Sequence, residues 1–466
     1  MPLPLLREVP ELRGRRVTVM GLGLFGGGEG VARFLALRGA RVTVTDTRPE
    51  RDLRESVDAL RGLPVEFRLG GHDEADFRGA DLVVVNPAVP PSSPFLRLAP
   101  ALETEMNLFF KLCRARTVAG ITGSNGKTTT TALAGEVLRR GPGRTWVGGN
   151  IGGSLLERIG EIGPEDTVVL ELSSFQLENL GVLERSPSVA AVLNLTPNHL
   201  DRHGTMEAYA AAKRRIVDRQ GEGDEKVLNA DDPVVREWAA ASPSRTWKFS
   251  AKEPPPLGAL ARDERIEFRS PAGRVDLDVS RRKIPGAFNL QNMAAAAAVS
   301  FAAAGGRWEG WAAACAEVFN GFPGVEHRLE FVAEKGGVRY YNDSKATDPE
   351  AAAAALETLE GPFVLILGGF DKKTPFDALA RAVAARPVRA CVLLGQTAPA
   401  IEAALRAAPR VPEIVRVRSL EEAVRVPARP GETVLLSPAC ASWDMFRNFA
   451  ERGRAFKALV TTLPDG

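Results

Sequence analysis

One stretch constrains this chain more than any other: Gly120-Ile-Thr-Gly-Ser-Asn-Gly-Lys-Thr-Thr-Thr130. The apolar run Thr117-Val-Ala leads into it as a strand would, and helix formers follow from Thr131 to Leu138. Glycines let a backbone wrap a phosphate, and the N-terminus of the new helix points free N–H groups at the anion. Lys127 can reach the β- and γ-phosphates of a nucleotide, and the Thr128 hydroxyl can bind Mg²⁺. The strict phosphate-loop spacing is not met, because its first glycine falls on Ile121; what stands here is the shorter Gly123-Ser-Asn-Gly-Lys-Thr128. The candidate phosphate contacts are Gly123, Ser124, Asn125, Gly126, Lys127, Thr128 and Thr129.

A chain of 466 residues with 44 % apolar side chains has material for two or three packed domains. Its net charge of +2 suggests no surface for nucleic acid. The cysteines Cys113, Cys315, Cys391 and Cys440 lie far apart without a C-x-x-C pair, so neither a zinc site nor a disulfide framework is expected, which suits a reducing cytoplasm. The start, Met1-Pro-Leu-Pro-Leu-Leu-Arg7, is proline-broken and too short for a signal peptide, and no apolar run approaches membrane-spanning length. Only 12 of the 60 basic residues are lysine, which makes each lysine in a motif more conspicuous.

Strand and helix patterns alternate along the chain, which predicts an α/β protein with mainly parallel sheets. Arg16–Met20 reads as a strand, followed by Gly21-Leu-Gly-Leu-Phe-Gly26, a helix through Leu37, and a second strand from Arg41 ending at Asp46. That is a G-x-G-x-x-G arrangement with an acidic residue about twenty positions on. It fits NAD, and so a hydride-transfer enzyme, or a different nucleotide held by Asp46 and Thr47. A separate triphosphate loop favours the second reading. Further strands are expected at 81–85, 167–170 and 189–193. An alanine-rich helix is expected over 286–304. A third α/β pattern follows Gly321-Phe-Pro-Gly324, with strands at 338–341, 363–367, 390–394 and 433–436. The alanine runs 294–298 and 351–355 read as tightly packed helices.

Candidate chemistry gathers at the predicted strand ends, where parallel sheets bind ligands. Glu171 ends one strand and is a candidate second Mg²⁺ ligand. Asn194-Leu-Thr-Pro-Asn-His-Leu-Asp-Arg-His203 carries two of the four histidines; His199 suits a metal-bound phosphate, and His203 a structural role. In the third segment Asn342-Asp-Ser-Lys-Ala-Thr347, Gly368-Gly-Phe-Asp-Lys372 and Ser437-Pro-Ala-Cys-Ala-Ser-Trp443 offer hydroxyls, ammonium groups and helix-start amides. These suit carboxylates.

In order and over nearly the whole chain, these motifs resemble the Mur ligases. Gly123–Thr128, Glu171-Leu-Ser-Ser-Phe-Gln-Leu-Glu178 and His199-x-Asp-Arg202 are similar to the family's central domain. His327-Arg328, Asp343-Ser-Lys-Ala-Thr347 and Leu436-Ser-Pro-Ala-Cys-Ala-Ser442 are similar to its D-glutamate-adding branch, and the D-N-P-R motif of the diaminopimelate- and lysine-adding branch is absent. The resemblance implies three domains: a Rossmann-like one over 1–104 that binds a UDP substrate, a central P-loop ATPase-like one over 105–324, and a Rossmann-like one over 325–466 that binds an amino acid. It implies ATP-dependent ligation of D-glutamate to UDP-N-acetylmuramoyl-L-alanine through an acyl phosphate, in a cytoplasmic monomer. Another amino-acid-adding Mur or folylpolyglutamate-type ligase is the alternative. Carried over position by position, Lys127, Glu171, His199, Lys213 and Lys345 are catalytic. Thr128, Glu171, His199 and a carbamate on Lys213 hold two Mg²⁺ ions. Asn289, Asn292, Arg328 and Asp343 contact ATP. Leu24, Phe25, Asp46, Thr47 and Asn150 contact the UDP substrate. Thr347, Lys372, Ser442, Trp443 and Phe449 form the D-glutamate pocket. Three departures stand out: the glycine-rich Gly26-Gly-Gly-Glu-Gly30, Asn86-Pro-Ala88 in place of Ser-Pro-Gly, and Phe288 in place of a common histidine.

Overall fold

The computed structural model describes residues 5–464 apart from 7, 24–26, 152, 181–182, 307 and 372–373. The valine-rich strands of the first segment are buried on both faces, as parallel strands covered by helices require. The first sheet holds β1 (Arg16–Met20), β2 (Arg41–Asp46), the half-exposed β3 (Val65–Leu69), β4 (Leu82–Val85) and the short β5 (Leu102–Glu103), in the order β3-β2-β1-β4-β5, with β1, β2 and β4 the buried ones. All pairs are parallel, with Val17 beside Val42 on one side and Leu82 on the other. Glycine loops therefore leave β1 at the sheet's middle, where the chain reverses its build direction.

The second sheet has nine strands: β6 (Thr117–Thr122), β7 (Thr145–Gly149), β8 (Thr167–Glu171), β9 (Val189–Val192), β10 (Glu225–Asn229), β11 (Arg245–Ser250), β12 (Gly258–Arg262), β13 (Arg265–Ser270) and β14 (Gly273–Asp278). Their order is β14-β13-β12-β11-β10-β9-β6-β8-β7. The third sheet has six: β15 (Glu330–Lys335), β16 (Val338–Asn342), β17 (Phe363–Leu367), β18 (Val388–Leu393), β19 (Glu413–Arg416) and β20 (Thr433–Leu436), in the order β15-β16-β20-β17-β18-β19. The exceptions to parallel pairing are β12-β13-β14 and β15-β16. Two residues join each of these three pairs, and in two of them both residues are left-handed. Asp263 and Glu264 join β12 to β13 with φ of 51° and 60°, and Gly336 and Gly337 join β15 to β16 with φ of 56° and 74°. Such left-handed turns match the twist of a hairpin and direct the chain straight back.

The first two sheets belong to one compact unit, residues 1–282 with 288–321; the third belongs to another, 283–287 with 322–466. Within the first unit a continuous apolar core runs from Val17, Phe34 and Val44 through Phe109 and Phe110 to Val168, Leu170 and Ile216. The expected alanine helix is Ala287–Ala303, with Ala294–Ala298 fully buried. The second alanine run lies in the helix Pro349–Thr358, whose Ala351, Ala352 and Ala355 are buried.

The helix Gly27–Leu37 joins the two sheets of the first unit. A Cβ on Gly28 would come within 2.4 Å of the Gly21 and Leu22 carbonyls, and one on Gly30 within 2.3 Å of Ser154 Cβ. Gly28 thus lets the helix lie on the β1 loop, and Gly30 lets it lie against the 3₁₀ turn Leu155–Glu161. Arg33 Nε reaches across to Glu157 at 3.4 Å. Leucine at position 30 gains about 1 kcal/mol of helix propensity. The overpacking it causes costs about 1–3 kcal/mol or more. Gly30→Leu is therefore expected to lower the urea midpoint. Gly153→Ala, with nothing within 4 Å of the new methyl group, is expected to leave it unchanged. Equal midpoints for both variants would contradict this packing.

Candidate functional site

Phosphate-binding loops need a residue that turns left-handed just before a helix, and Gly126 does this with φ of +83° at the cap of the helix Lys127–Leu138. A Cβ there would lie 2.3 Å from Asn292 Oδ1, so the position also needs glycine for space. The loop is fixed from three sides. Asn194 Oδ1 accepts from the Asn125 N–H at 2.8 Å, and its Nδ2 donates to the Asn125 carbonyl at 3.1 Å. Ser124 Oγ donates to the Thr196 carbonyl at 2.9 Å and lies 3.1 Å from the Tyr209 hydroxyl. Thr130 Oγ1 donates to Asn292 Oδ1 at 3.4 Å, and Asn292 Nδ2 donates to Asn289 Oδ1 at 3.2 Å.

Two lysines meet on this loop. Lys127 Nζ donates to the carbonyls of Gly123 and Ser124 at 2.9 and 2.8 Å. Lys213 Nζ, from the helix Met206–Asp218, donates to the same Gly123 carbonyl at 2.8 Å and to Thr122 Oγ1 at 3.3 Å. Lys213 is 1 % exposed and sits 4.8 Å from the Tyr209 ring centre. Burial, and then the neighbouring Lys127 charge, hold its amine well below the ordinary lysine value, against the opposing pull of Glu171. Glu171 ends β8 and is buried; its Oε1 accepts from Asn150 Nδ2 at 3.0 Å, while its Oε2 is buried with no hydrogen-bond partner among the described residues. His199 follows β9, exposed, with a left-handed φ of 54° that holds its ring edge-on to Phe175 at 4.9 Å. His203 instead bonds Ser174 Oγ at 3.0 Å and stacks on Phe175 at 5.5 Å.

At the first sheet the Asp46 carboxylate organises the glycine loop. Its Oδ2 accepts from the N–H groups of Leu22 and Gly23 at 3.0 and 3.3 Å, and its Oδ1 from Arg48 N–H at 2.9 Å. Thr47 beside it is exposed. Leu24 and Phe25 lie outside the described residues, as does Lys372 of the third segment.

In the second unit Asp343 follows β16 and is 1 % exposed. Ser437 Oγ donates to its Oδ2 at 2.8 Å, Leu329 N–H to its Oδ1 at 3.2 Å, and Arg328 Nη1 stands 3.9 Å away. Burial outweighs these three and pushes its carboxyl up to about 6. Arg452, 3 % exposed, donates from Nε to Ser344 Oγ at 2.9 Å and from Nη2 to the carbonyls of Ser344 and Cys440 at 2.8 and 3.1 Å. Lys345 Nζ lies 5.8 Å from the Phe449 ring centre. Ser442 Oγ is buried without a hydrogen-bond partner among the described residues, and the half-exposed Trp443 packs on Phe370. Thr347 lies half-buried two residues beyond Lys345.

Three domain descriptions match the chain in order: Mur ligase MurD-like N-terminal domain over 15–107, Mur ligase middle domain over 121–300, and Mur ligase glutamate ligase domain over 327–440. The UDP-N-acetylmuramoylalanine–D-glutamate ligase of Roseiflexus sp. is 47 % identical over 97 % of this chain and 99 % of its own length. The chain belongs to the Mur ligase family. The protein of the same name from Symbiobacterium thermophilum is 45 % identical over 96 % of the chain and 98 % of its own length. Among solved structures, UDP-N-acetylmuramate-alanine ligase MurC of Thermotoga maritima superposes with a TM-score of 0.64 at 19 % identity, covering 96 % of this chain and 99 % of that one. MurF ligase of the same organism, in complex with ADP, gives 0.59 at 19 %, covering 98 % and 100 %. Both carry the same three-domain α/β fold.

The fold of this Mur ligase brings Lys127, Lys213, Glu171 and Asn150 together near the C-terminal ends of β6, β7 and β8. Asn292 reaches the phosphate loop, and Asn289 bonds Asn292 behind it. Two residues escaped the sequence reading. Tyr209 flanks the buried Lys213, four positions earlier on one helix face, and Arg452 stands three positions after Phe449 on another; in both cases the i, i+3/i+4 spacing was the available signal.

The raised Asp343 carboxyl carries a stability consequence. Between its ordinary value of 3.8 and about 6 the folded protein holds a proton that the unfolded chain has released. Asp343 therefore makes stability fall as pH rises across that window. A shift of about two units corresponds to roughly 3 kcal/mol. Asp343→Asn is expected to flatten the fall in unfolding free energy between about pH 4 and pH 6. A variant curve parallel to the wild-type curve would show that Asp343 is not the group responsible.

Proposed function

We propose that this Mur ligase joins D-glutamate to UDP-N-acetylmuramoyl-L-alanine at the expense of ATP, giving ADP and phosphate. The phosphoryl-transfer half of this reading is carried by one observation: two lysines converge on the Gly123 carbonyl beside a carboxylate with an unpartnered oxygen. The choice of D-glutamate is supported by the like-named relatives and by the unpartnered Ser442 hydroxyl, which suits a ligand carboxylate. The expected setting is a monomer in the cytoplasm; no helix among the described residues is long and apolar enough to cross a membrane.

In this reading the substrate carboxylate oxygen attacks the γ-phosphorus of ATP, and the bond to ADP breaks. The resulting acyl phosphate is attacked by the unprotonated amine of D-glutamate; the amide forms, phosphate leaves, and the nitrogen loses a proton. The N–H groups at the start of the helix Lys127–Leu138 and the Lys127 ammonium face developing phosphate charge. Among the described residues no ready-made cluster of three or more histidine, cysteine or acidic side chains forms a metal site. The residues nonetheless suit Mg²⁺: Glu171 offers a buried carboxylate oxygen with no partner among the described residues, and Thr128 a hydroxyl at the helix start. Thr128, Glu171, His199 and a carbamylated Lys213 would hold two ions. When bound, Mg²⁺ neutralises charge on the transferring phosphoryl group. Carbamylation needs a neutral amine, which attacks CO₂ and releases a proton, and burial of Lys213 favours that form. Asn289, Asn292, Arg328 and Asp343 complete the proposed ATP contacts. Asp46, Thr47 and Asn150, with Leu24 and Phe25, are the proposed UDP-substrate contacts. Thr347, Lys345, Lys372, Trp443 and Phe449 are proposed to line the amino-acid side.

The deciding assay is phosphate release from ATP with UDP-N-acetylmuramoyl-L-alanine across amino acids of both chiralities. D-glutamate is expected to be the substrate; equal rates with L-glutamate, or with a diamino acid, would refute the reading. Lys127→Ala is expected to cost about 10²-fold or more in kcat, in the range for losing one electrostatic stabiliser. Near-normal turnover by the folded variant would remove Lys127 from its role.

Lys213→Ala is expected to abolish turnover while ATP binding survives, and added formate or acetate to restore part of the rate by supplying the missing oxygens. Lys213→Arg is expected to resist rescue, because its permanent charge stays in the site. Full activity of Lys213→Ala would overturn the carbamate assignment.

A further inference from the structure

Arg202 belongs to the short helix Leu200–His203, three residues after His199. Its Nη1 donates to the Val89 carbonyl at 3.1 Å and lies 3.4 Å from that of Ala88. Its guanidinium lies over the Phe175 ring, 4.7 Å from the centre, and its Nη2 is 4.0 Å from a Glu178 carboxylate oxygen. The side chain is only 14 % exposed. Each contact leads somewhere specific. Ala88 and Val89 sit in the loop that leaves β4; there Asn86 Oδ1 accepts from the Ala88 N–H at 3.0 Å, and Asn86 Nδ2 reaches the Gly21 carbonyl of the nucleotide loop at 3.4 Å. Phe175 is edge-on to His199 and stacked on His203. One planar cation thus joins the β4 loop, which bonds the nucleotide loop through Asn86, to the Phe175 ring that packs on His199.

An exposed ion pair in this place would contribute little. Arg202 is different: it is largely withdrawn from water, it donates to backbone carbonyls, and its flat face covers an aromatic ring, a combination lysine cannot reproduce. The phosphate loop is braced separately, by Asn194, Thr196 and Asn292.

We propose that Arg202 is a positioning residue for the nucleotide-sugar substrate: it fixes the β4 loop against Phe175 and His199, and so sets where the substrate carboxylate meets the phosphoryl group. The proposal rests on the functional reading above. Substrate held on the first sheet must reach a reaction centre on the second, and small misplacements there cost large factors in rate. ATP, held on this side by the phosphate loop with Asn289 and Asn292, is not aligned through Arg202.

A cavity of about 690 Å³ opens beside the guanidinium, walled by Pro90, Glu178, His203, Ala211 and Arg215. It gives a small cation a way to the space that truncation of Arg202 would leave between Phe175 and the Val89 carbonyl.

The test is steady-state phosphate release by wild type, Arg202→Lys and Arg202→Ala, varying each substrate in turn. Both variants are expected to raise KM for UDP-N-acetylmuramoyl-L-alanine by about ten-fold or more and leave KM for ATP within about two-fold, a split that general loosening would not produce. Millimolar guanidinium is expected to recover part of kcat/KM in Arg202→Ala alone. Parallel changes in both KM values, an unchanged KM for the nucleotide sugar in either folded variant, or no response to guanidinium would overturn the proposal. If Arg202→Ala does not fold, the KM split in Arg202→Lys decides the matter. Failure of the wild type to use the nucleotide sugar would refute the functional reading, whereas an active wild type with unaffected variants refutes only the role of Arg202.

Discussion

The Gly123 carbonyl accepts from two lysine side chains at once, Lys127 at 2.9 Å and Lys213 at 2.8 Å. Two ammonium groups on one oxygen, one of them fully buried, cannot both keep their charge at moderate cost. The conflict resolves in the buried member, Lys213, whose amine is pushed toward its neutral form. Everything around it enforces the conflict. Thr122 at the end of β6 and the Tyr209 ring leave the Lys213 amine nowhere to turn, and the Thr205 hydroxyl caps the helix that carries it by accepting from the Ala208 N–H. Local rules of folding are broken where chemistry is done, and the surrounding packing sustains the cost. The oxygen of Glu171 left without a partner among the described residues and the left-handed His199 are further instances.

The second unit solves a related problem with one guanidinium. The loops after β16 and β20 carry separate motifs, Asp343-Ser-Lys-Ala-Thr347 and Ser437-Pro-Ala-Cys-Ala-Ser442. Arg452 bonds Ser344 in the first and the Cys440 carbonyl in the second, so a residue of the helix Phe449–Thr461 holds the two motifs in register. Ser437 adds a direct link through Asp343. Burial lowers the guanidinium to about 10, still charged at neutral pH. It therefore supplies a fixed positive charge beside the buried Asp343.

Legibility in the sequence follows burial. Strands β1, β17 and β20 were readable to the residue because continuous apolar runs end sharply at glycine, proline or charge. The segment 258–278 was not read as strands: β14 is Gly-Arg-Val-Asp-Leu-Asp, with only Leu277 buried, and a half-exposed, charge-rich hairpin has no periodic apolar signal. β3 is a different case: Val65-Glu-Phe-Arg-Leu69 alternates apolar and charged residues as a half-buried strand does, so its signal is present in the sequence although it is missing from the strands expected above. In the site, loop residues with unusual chemistry stood out from their neighbours. Lys213 did not: its sequence context is that of an ordinary helical lysine, and only its family resemblance marked it. Its burial depends on β6 and the phosphate loop, ninety residues away in the chain.

The glycine run at 26–30 shows how a departure from a family pattern can be a packing requirement. Read as part of a nucleotide motif, the additional glycines suggest an altered uridine pocket. In the structure Gly28 and Gly30 serve contacts inside the protein: the first admits the β1 loop carbonyls, the second admits Ser154. The helix from Gly27 is thereby drawn against the turn Leu155–Glu161, which follows β7 and the Asn150 that bonds Glu171. Glu105 joins the same seam, where burial and the nearby Glu157 push its carboxyl up to about 7 against a hydrogen bond from Ser154. A side chain at position 30 would open that seam. The glycines thus hold the β1 loop and the turn after β7, with the Asn150 that bonds Glu171, against one helix.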